Sequence, residues 1–235
     1  MKAMISFDLR TVSKMAAQQF FVCVLVGVFI AVMTEGLYAA TTAIAVMVPL
    51  SMSFTLVAFD ERANWERFRL ALPLSRASVM RGRYASIGLL ALAGVAEGLA
   101  ITGALALAAC ALPGVTWLSA VLTSFHAEAY ALCTVIGVAI TAFLLSFTLP
   151  IVARSGMTKT ARWLPVVFIL VLLGLYAVGT QFDGDGLLRS VAEFAAWAAE
   201  PAGCAVTCVV IVAASAVLYA ASCVVASVLY ERREF

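Results

Sequence analysis

Six continuous apolar stretches dominate the sequence and limit it to one kind of fold. A helix that crosses a bilayer needs about 20 mainly apolar residues, and the stretches are of that order. They are Gln19–Thr34, Leu37–Phe59, Tyr84–Leu112, Phe125–Leu149, Trp163–Thr180 and Pro201–Tyr230. Only 12% of the 235 residues are charged, whereas a soluble domain carries about 25%. The sequence therefore predicts an all-α polytopic membrane protein, with a single transmembrane domain over residues 1–235.

The polar connections between these spans fall into two groups of very different charge. The first group is the amino terminus, Asp60–Arg83, Pro150–Arg162 and Glu231–Phe235, and the second is Glu35–Gly36, Pro113–Ser124 and Gln181–Glu200. All of the 15 Lys and Arg residues except Arg189 belong to the first group. Because cytoplasmic loops are enriched in Lys and Arg, we expect both termini in the cytoplasm. The even number of spans agrees with this topology, because it places both termini on the same side of the membrane.

Two polar segments outside the spans are predicted to be surface helices. In Met4–Gln18, apolar residues recur at helical spacing among charged ones, which predicts an interfacial helix, with a disordered leader as the alternative. In Gln181–Glu200, the GDG sequence at Gly184–Gly186 predicts a turn. A helical apolar stripe follows this turn, formed by Leu187, Leu188, Val191, Phe194 and Trp197. We expect a short external helix there.

The loop Asp60–Tyr84 holds six of the 15 basic residues, between two apolar spans. Its first half has an apolar and a charged helical face. The apolar face is Trp65, Phe68 and Leu72, and the charged face is Arg62, Glu66 and Arg69. Asp60 can cap this helix, Pro73 ends it, and Ser75 can cap the next one. The pattern predicts a docking surface for a soluble partner, and a basic loop that only anchors topology is the alternative.

The sequence lacks the motifs of several classes of enzymes and metal-binding sites. The sequence contains neither a GxxxxGK[ST] phosphate-binding loop nor HExxH, and one histidine cannot form a His-rich metal site. We therefore expect no enzyme activity and no cofactor in this chain, and the net charge of +2 indicates no nucleic-acid partner. The six cysteines form no CxxC pair and are interpreted as packing residues. Cys204 and Cys208 share a helix face, which leaves a metal or redox site as the alternative.

Three ionisable residues lie in or near the apolar spans, namely Glu97, Glu128 and His126. An intramembrane carboxylate is costly and should face the bundle interior or water. We interpret these residues as contacts for a cation or peptide along a pathway, or as a proton site. A protonated or hydrogen-bonded packing residue is the alternative. Gly94 and Gly98 form a GxxxG sequence beside Glu97, which allows close approach of another helix.

The second span combines a proline with several hydroxyl side chains. Pro49 predicts a kink in this helix. The hydroxyl residues are Thr41, Thr42, Ser51, Ser53 and Thr55. They either line a pathway or bind carbonyl groups of their own helix, and the sequence does not favour one of these interpretations.

The segment ANWERFRLALPLSRASVMRGRY resembles the ABC-2 type permease family, in particular the small six-helix permeases of bacterial peptide exporters. The resemblance implies six transmembrane helices, an amino-terminal interfacial helix, and a cytoplasmic coupling helix at Glu61–Leu72 that binds a separate ATPase. The coupling residues it implies are Glu61, Arg62, Trp65, Glu66, Phe68, Arg69 and Leu72. ATP and Mg would then be bound by the ATPase subunit and not by this chain.

The same resemblance implies a partner and a cargo. A second permease, identical or related, would complete the transporter in the bacterial cytoplasmic membrane. The cargo would be a hydrophobic or amphipathic peptide, such as an antimicrobial peptide, or a related small molecule. The external loop is shorter than in that family, so little of an outer gate can be inferred. The alternatives are an ion-coupled secondary transporter or channel that uses Glu97, and an immunity-type membrane protein without a transport cycle.

Overall fold

The computed structural model describes residues 2–62, 75–112, 114–123, 125–156, 173 and 184–231. The helices of these residues are α1 (Lys2–Thr34), α2 (Tyr38–Arg62), α3 (Arg76–Ala111), α4 (Thr116–Thr123), α5 (Ala127–Ser155), α6 (Gly184–Ala199) and α7 (Pro201–Glu231). Five of them, α1, α2, α3, α5 and α7, are long and apolar enough to cross a membrane. Apart from Leu173, the predicted span Trp163–Thr180 lies outside the described residues.

The first helix is continuous from Lys2 to Thr34. The sequence predicted a separate interfacial helix, Met4–Gln18, before the first span, and this boundary is wrong. No proline or glycine lies between Lys2 and Gln18 to end a helix there. At a rise of 1.5 Å per residue, α1 is about 50 Å long, whereas the hydrocarbon core of a bilayer is about 30 Å thick. The helix α1 is therefore longer than the hydrocarbon core, and its charged first half is not needed to cross it.

The helix α3 contributes to two buried apolar clusters. One cluster joins α3 to α1 and α2, and its members include Cys23, Ile44, Leu56, Leu90 and Ile101. The other joins α3 to α5 and α7, and its members include Ile87, Leu145, Leu149, Ala226 and Tyr230. In addition, α5 packs along α7, and α2 packs along both α3 and α5. The helix α3 thus contacts every other spanning helix that the structure describes.

The start of α3 confirms a prediction from local sequence. The side chain of Ser75 caps the helix and accepts a hydrogen bond from the backbone N–H of Ser78 at 3.2 Å. A serine hydroxyl at this position satisfies one of the N–H groups that have no partner inside the helix. The helix then continues without a break through Arg76, Arg81 and Arg83 into the third span, as the sequence predicted.

Three other boundaries differ from the prediction. The short helix α4 lies in Pro113–Ser124, which was predicted only as a polar connection. The helix α5 passes through Pro150 and ends at Ser155, although the sequence placed a polar connection from Pro150 onward. Neighbouring helices can bind the backbone groups that a proline releases, so proline is tolerated in spanning helices. The glycines of Gly184–Gly186 form the first turn of α6 rather than a turn before it.

Candidate functional site

A buried ion cluster joins three helices at one end of the bundle. The guanidinium of Arg83 on α3 pairs with the carboxylate of Asp60 on α2, and its Nη1 lies 3.2 Å from Oδ1 of Asp8 on α1. Arg83, Asp60 and Asp8 are only 6%, 8% and 1% exposed. A buried ion loses several kcal/mol of hydration, so each of these charges depends on the others. We call this end, where α1 begins, α2 ends and α3 begins, the Arg83 end.

The position of Asp60 in α2 explains why it needs Arg83. The sequence assigned Asp60 to the cap of a new helix, but α2 continues to Arg62 and Asp60 lies in its last turn, so this prediction is wrong. The C-terminal end of a helix carries a partial negative charge, which disfavours an acid there. The ion pair with Arg83 offsets that repulsion and also holds the end of α2 against α3.

A small cavity adjoins the ion cluster. It has a volume of about 40 Å³, which is large enough for a water molecule. Its polar lining is Asp60 and Arg83, and its apolar lining is Val57, Val79, Met80, Leu149, Val152, Ala153 and Tyr230. The charges are therefore enclosed by α2, α3, α5 and α7, in surroundings of low polarity where electrostatic attraction is strong.

Further hydrogen bonds connect the Arg83 end to α5 and α7. The hydroxyl oxygens of Tyr84 and Ser222 lie 2.7 Å apart, and the Ser222 hydroxyl donates to the backbone carbonyl of Ser146 at 2.7 Å. Nη1 of Arg76 donates to the carbonyl oxygen of Glu231 at 2.9 Å. The first three turns of α3 thus have direct polar contacts with α1, α2 and α7, and Ser222 of α7 extends this network to α5.

Glu97 lies in the middle of α3 and is half-buried. Its Oε1 is enclosed and has no hydrogen-bond partner among the described residues, and its side chain lies near the Cys23 thiol on α1. The side-chain amide of Gln19 approaches the same sulfur at 3.6 Å. The backbone beside Glu97 packs closely on α2, because a Cβ at Gly94 would lie 3.0 Å from Val48 Cβ. The predicted close approach at GxxxG is confirmed.

The other two pathway candidates lie at the start of α5. His126 is the N-cap residue and is exposed, and its backbone N–H donates to the Tyr38 hydroxyl at 2.7 Å. Glu128 is half-buried in the first turn, and its carbonyl oxygen accepts a hydrogen bond from the Cys204 thiol at 3.5 Å. No ion pair described in the structure joins either residue to Glu97.

Most hydroxyl groups of α2 bind carbonyl groups of their own helix. Thr41 and Thr42 also make bonds across helices. The Thr41 hydroxyl lies 3.2 Å from Thr102 Oγ1 and 3.1 Å from Tyr130 Oη, and Thr102 Oγ1 and Tyr130 Oη are 2.6 Å apart. Thr42 donates to the Cys133 carbonyl at 2.8 Å. Tyr130 was not predicted from the sequence, because a lone tyrosine in an apolar span gives no local signal of its partners.

A family comparison agrees with this architecture. A model for "ABC-2 family transporter protein" matches residues 3–231, which is nearly the whole chain. The chain belongs to the ABC-2 transporter family. No curated protein and no solved structure matches it significantly. Family membership confirms the resemblance noted in the loop sequence, and ABC-2 membrane components are transport components that are not themselves catalytic.

Only two of the coupling residues implied by the ABC-2 resemblance can be placed. Glu61 and Arg62 form the end of α2. The other five, Trp65, Glu66, Phe68, Arg69 and Leu72, lie outside the described residues. Residues 63–74 connect the last turn of α2 to the Ser75 cap of α3, and Asp60 and Arg83 lie close to the two ends of this connection. The ion cluster therefore joins the two helices between which the predicted coupling segment lies in the sequence.

The cysteines of this ABC-2 protein form no disulfide bonds. All six are free thiols. In the part of the chain that the structure describes, no group of three His, Cys, Asp or Glu residues could hold a metal ion.

Proposed function

We propose that this chain is the permease subunit of an ABC exporter and that a separate ATPase subunit drives it. The observation that carries the proposal is the buried cluster of Asp8, Asp60 and Arg83, because it ties the two helices that flank segment 63–74 to each other and to α1. Membership of the ABC-2 family supports the same role. A segment that receives force from outside needs rigid attachment to the spans, and the cluster supplies it.

In this proposal, residues Glu61–Leu72 are the coupling helix. Trp65, Phe68 and Leu72 would bind an apolar groove of the ATPase, and Arg62, Glu66 and Arg69 would form the polar rim. ATP-driven closure of the ATPase would displace the end of α2 and the start of α3. Because Arg83 pairs with Asp8, α1 would move with them. The spanning helices would then rearrange and release cargo outward.

The Arg83 end would face the cytoplasm. It holds the start of α1, and the last turn of α7 is bonded to it through Arg76 and Glu231. Both termini would thus lie on the cytoplasmic side of a bacterial plasma membrane, in agreement with the distribution of Lys and Arg. Two permeases, identical or related, would pair with two ATPases. A hydrophobic or amphipathic peptide would be the cargo, with Glu97, Glu128 and His126 as candidate contacts along its pathway.

One observation favours a second function, an ion-coupled carrier. The Oε1 atom of Glu97 is enclosed and has no hydrogen-bond partner in the part of the chain that the structure describes, and ionisable groups inside membrane proteins often mark ion or proton pathways. A carrier of this kind would transport its substrate along an ion gradient without ATP.

Purification from the native host in mild detergent, followed by mass spectrometry, tests the first proposal. We expect an ATPase with a phosphate-binding GxxxxGK[ST] loop to co-purify in stoichiometric amounts. The complex, reconstituted in proteoliposomes, should then export cargo only with ATP, and a protonophore should not stop it. Isolation of the permease alone at good yield, with transport that a protonophore abolishes, would favour the ion-coupled carrier instead.

A further inference from the structure

An open groove of about 560 Å³ runs between the first half of α1 and the last turns of α2. Its apolar wall includes Phe7, Met15, Leu56 and Phe59, and Arg10 and Lys14 lie on its rim. Phe7, Met15 and Phe59 are 39%, 36% and 46% exposed. The groove therefore combines an apolar surface with two basic side chains. The part of α1 that lines it precedes the apolar half that is long enough to span the membrane.

The depth of this groove in the bilayer follows from the length of α1. Residues 15–33 carry no charge, and at 1.5 Å per residue they span about 28 Å, close to the hydrocarbon thickness of about 30 Å. Lys14 is the first charged residue beyond this stretch, and Arg10 follows one turn further, about 6 Å away. The headgroup layer on each side of the core is only several ångströms thick. Both basic residues consequently lie at the level of the lipid phosphates.

The charge of the groove rim suits an anion. Arg10 and Lys14 are four residues apart on one helix face, and both are exposed. None of the ion pairs in the described part of the chain uses them. The two acids that line the groove, Asp8 and Asp60, are turned to Arg83, so Arg10 and Lys14 remain available for a negative group. Arginine binds phosphate oxygens with two parallel N–H groups, and lysine adds a point charge.

We propose that this groove binds an anionic phospholipid, with its phosphate at Arg10 and Lys14 and part of an acyl chain against Met15, Leu56 and Phe59. The basic residues lie at the depth of the lipid phosphates, and an apolar wall lies beside them. An anionic phospholipid of the surrounding membrane has both matching parts, a phosphate and an acyl chain. A bound lipid would rest beside the ion cluster and hold α1 against α2. The inference does not rest on the exporter proposal, because it concerns equilibrium binding and not transport.

Native mass spectrometry of the purified chain with phosphatidylglycerol and phosphatidylcholine of identical acyl chains tests the proposal. We expect the wild type to retain phosphatidylglycerol preferentially. The double variant Arg10→Gln plus Lys14→Gln should bind phosphatidylglycerol about 30-fold more weakly, as expected for two basic residues near an anionic surface. The matched control is Arg81→Gln plus Arg154→Gln, which removes two other exposed basic residues and should leave the binding unchanged. Equal retention of the two lipids, or an equal loss in the control, would overturn the proposal.

Photo-cross-linking of the wild type tests the same site without any substitution, so it remains informative if the double variant does not fold. Phosphatidylglycerol with a photoreactive acyl chain should label peptides that contain Met15, Leu56 or Phe59. Labelling confined to α5 or α7, which do not line the groove, would contradict the site. Inorganic phosphate alone should not displace the labelled lipid, because the acyl chain supplies part of the binding free energy. Displacement by inorganic phosphate would also contradict the proposal.

Discussion

Nη1 of Arg83 on α3 lies 3.2 Å from Oδ1 of Asp8 on α1, and both side chains are almost completely buried. Arg83 also pairs with Asp60 on α2. One guanidinium thus links three helices at the point where the predicted coupling segment leaves the bundle. Because Arg83 pairs with both acids, its loss would break both ion pairs at once.

Arg83→Gln should be the most destabilising single change in this cluster. It removes the guanidinium that pairs with both buried acids, and removal of one partner from a buried ion pair costs about 3–5 kcal/mol. Asp8→Asn should cost less, because the pair between Arg83 and Asp60 remains. The control Arg81→Gln, at an exposed position on the same helix, should change stability by less than about 0.5 kcal/mol. Chemical unfolding in mixed micelles measures all three, and equal losses for Arg83→Gln and Arg81→Gln would contradict the role of the cluster.

Local patterns in the sequence were sufficient for some features and not for others. The apolar runs predicted α2, α3 and α7, because length and hydropathy alone decide whether a helix spans a bilayer. Ser75 was predicted as a cap because its partner, Ser78, is three residues away. The partnership of Asp8 with Arg83 could not be predicted in this way, since the two residues lie on different helices. Asp8 was instead assigned to the polar face of an interfacial helix.

Predicted helix boundaries were wrong where polar residues or proline were taken as the end of a helix. Pro150 was expected to end the fourth span, but α5 continues to Ser155 because helices packed around it support the chain there. The hydroxyl groups of α2 were considered as pathway residues, but the contact of Thr41 with the Tyr130 hydroxyl, which also bonds to Thr102, was not predicted. In both cases the deciding contacts come from other helices, which a single sequence does not reveal.

The contact between Gly94 and α2 predicts a position-specific effect of side-chain size. A Cβ at Gly94 would lie 3.0 Å from both Val48 Cβ and Pro49 Cδ, whereas a Cβ at Gly103 would meet no atom of the described residues within 4 Å. Gly94→Val should therefore force α2 and α3 apart and cost about 1–3 kcal/mol. Gly103→Val makes the same chemical change on the same helix and should cost less than about 0.5 kcal/mol. Unfolding in mixed micelles compares them, and similar stabilities would contradict the close helix contact.

The hydroxyl group of Tyr130 should contribute little to stability despite its two partners. Thr41 and Thr102 keep bonds to the carbonyl oxygens of Leu37 and Gly98 at 3.1 and 2.7 Å. Interhelical hydrogen bonds in membrane proteins average about 0.6 kcal/mol, so Tyr130→Phe should cost less than about 1 kcal/mol. Tyr130→Ala also removes the ring that packs on Phe125 at a centroid distance of 5.5 Å, and should cost about 2 kcal/mol or more. Thermal unfolding of the two variants in nanodiscs measures the difference, and a larger loss for Tyr130→Phe would contradict this ranking.

Loss of two aromatic residues in the coupling segment should separate ATP hydrolysis from transport. Trp65→Ala plus Phe68→Ala removes the large apolar side chains proposed to bind the ATPase. We expect normal expression and folding, retained ATP hydrolysis by the ATPase subunit, and export reduced at least tenfold, because buried aromatic residues dominate the energetics of interfaces. The control is Phe194→Ala plus Trp197→Ala on α6, where both rings are exposed. Export at the wild-type rate by a well-expressed Trp65 and Phe68 double variant would refute the coupling role.

Glu97→Gln distinguishes a pathway contact from an ion-coupling site. Glutamine keeps the size of the side chain and removes its charge, so the packing at Gly94 and Cys23 should be preserved. If the chain is an ATP-driven permease, the variant should export a cationic peptide several-fold more slowly than the wild type, while transport still requires ATP and resists a protonophore. Glu35→Gln, at an exposed acid between α1 and α2, is the control and should export normally. Gradient-driven transport without ATP in the wild type, abolished in Glu97→Gln, would instead make this carboxylate the coupling site of a secondary carrier, because only a titrating or cation-binding group is eliminated by that change.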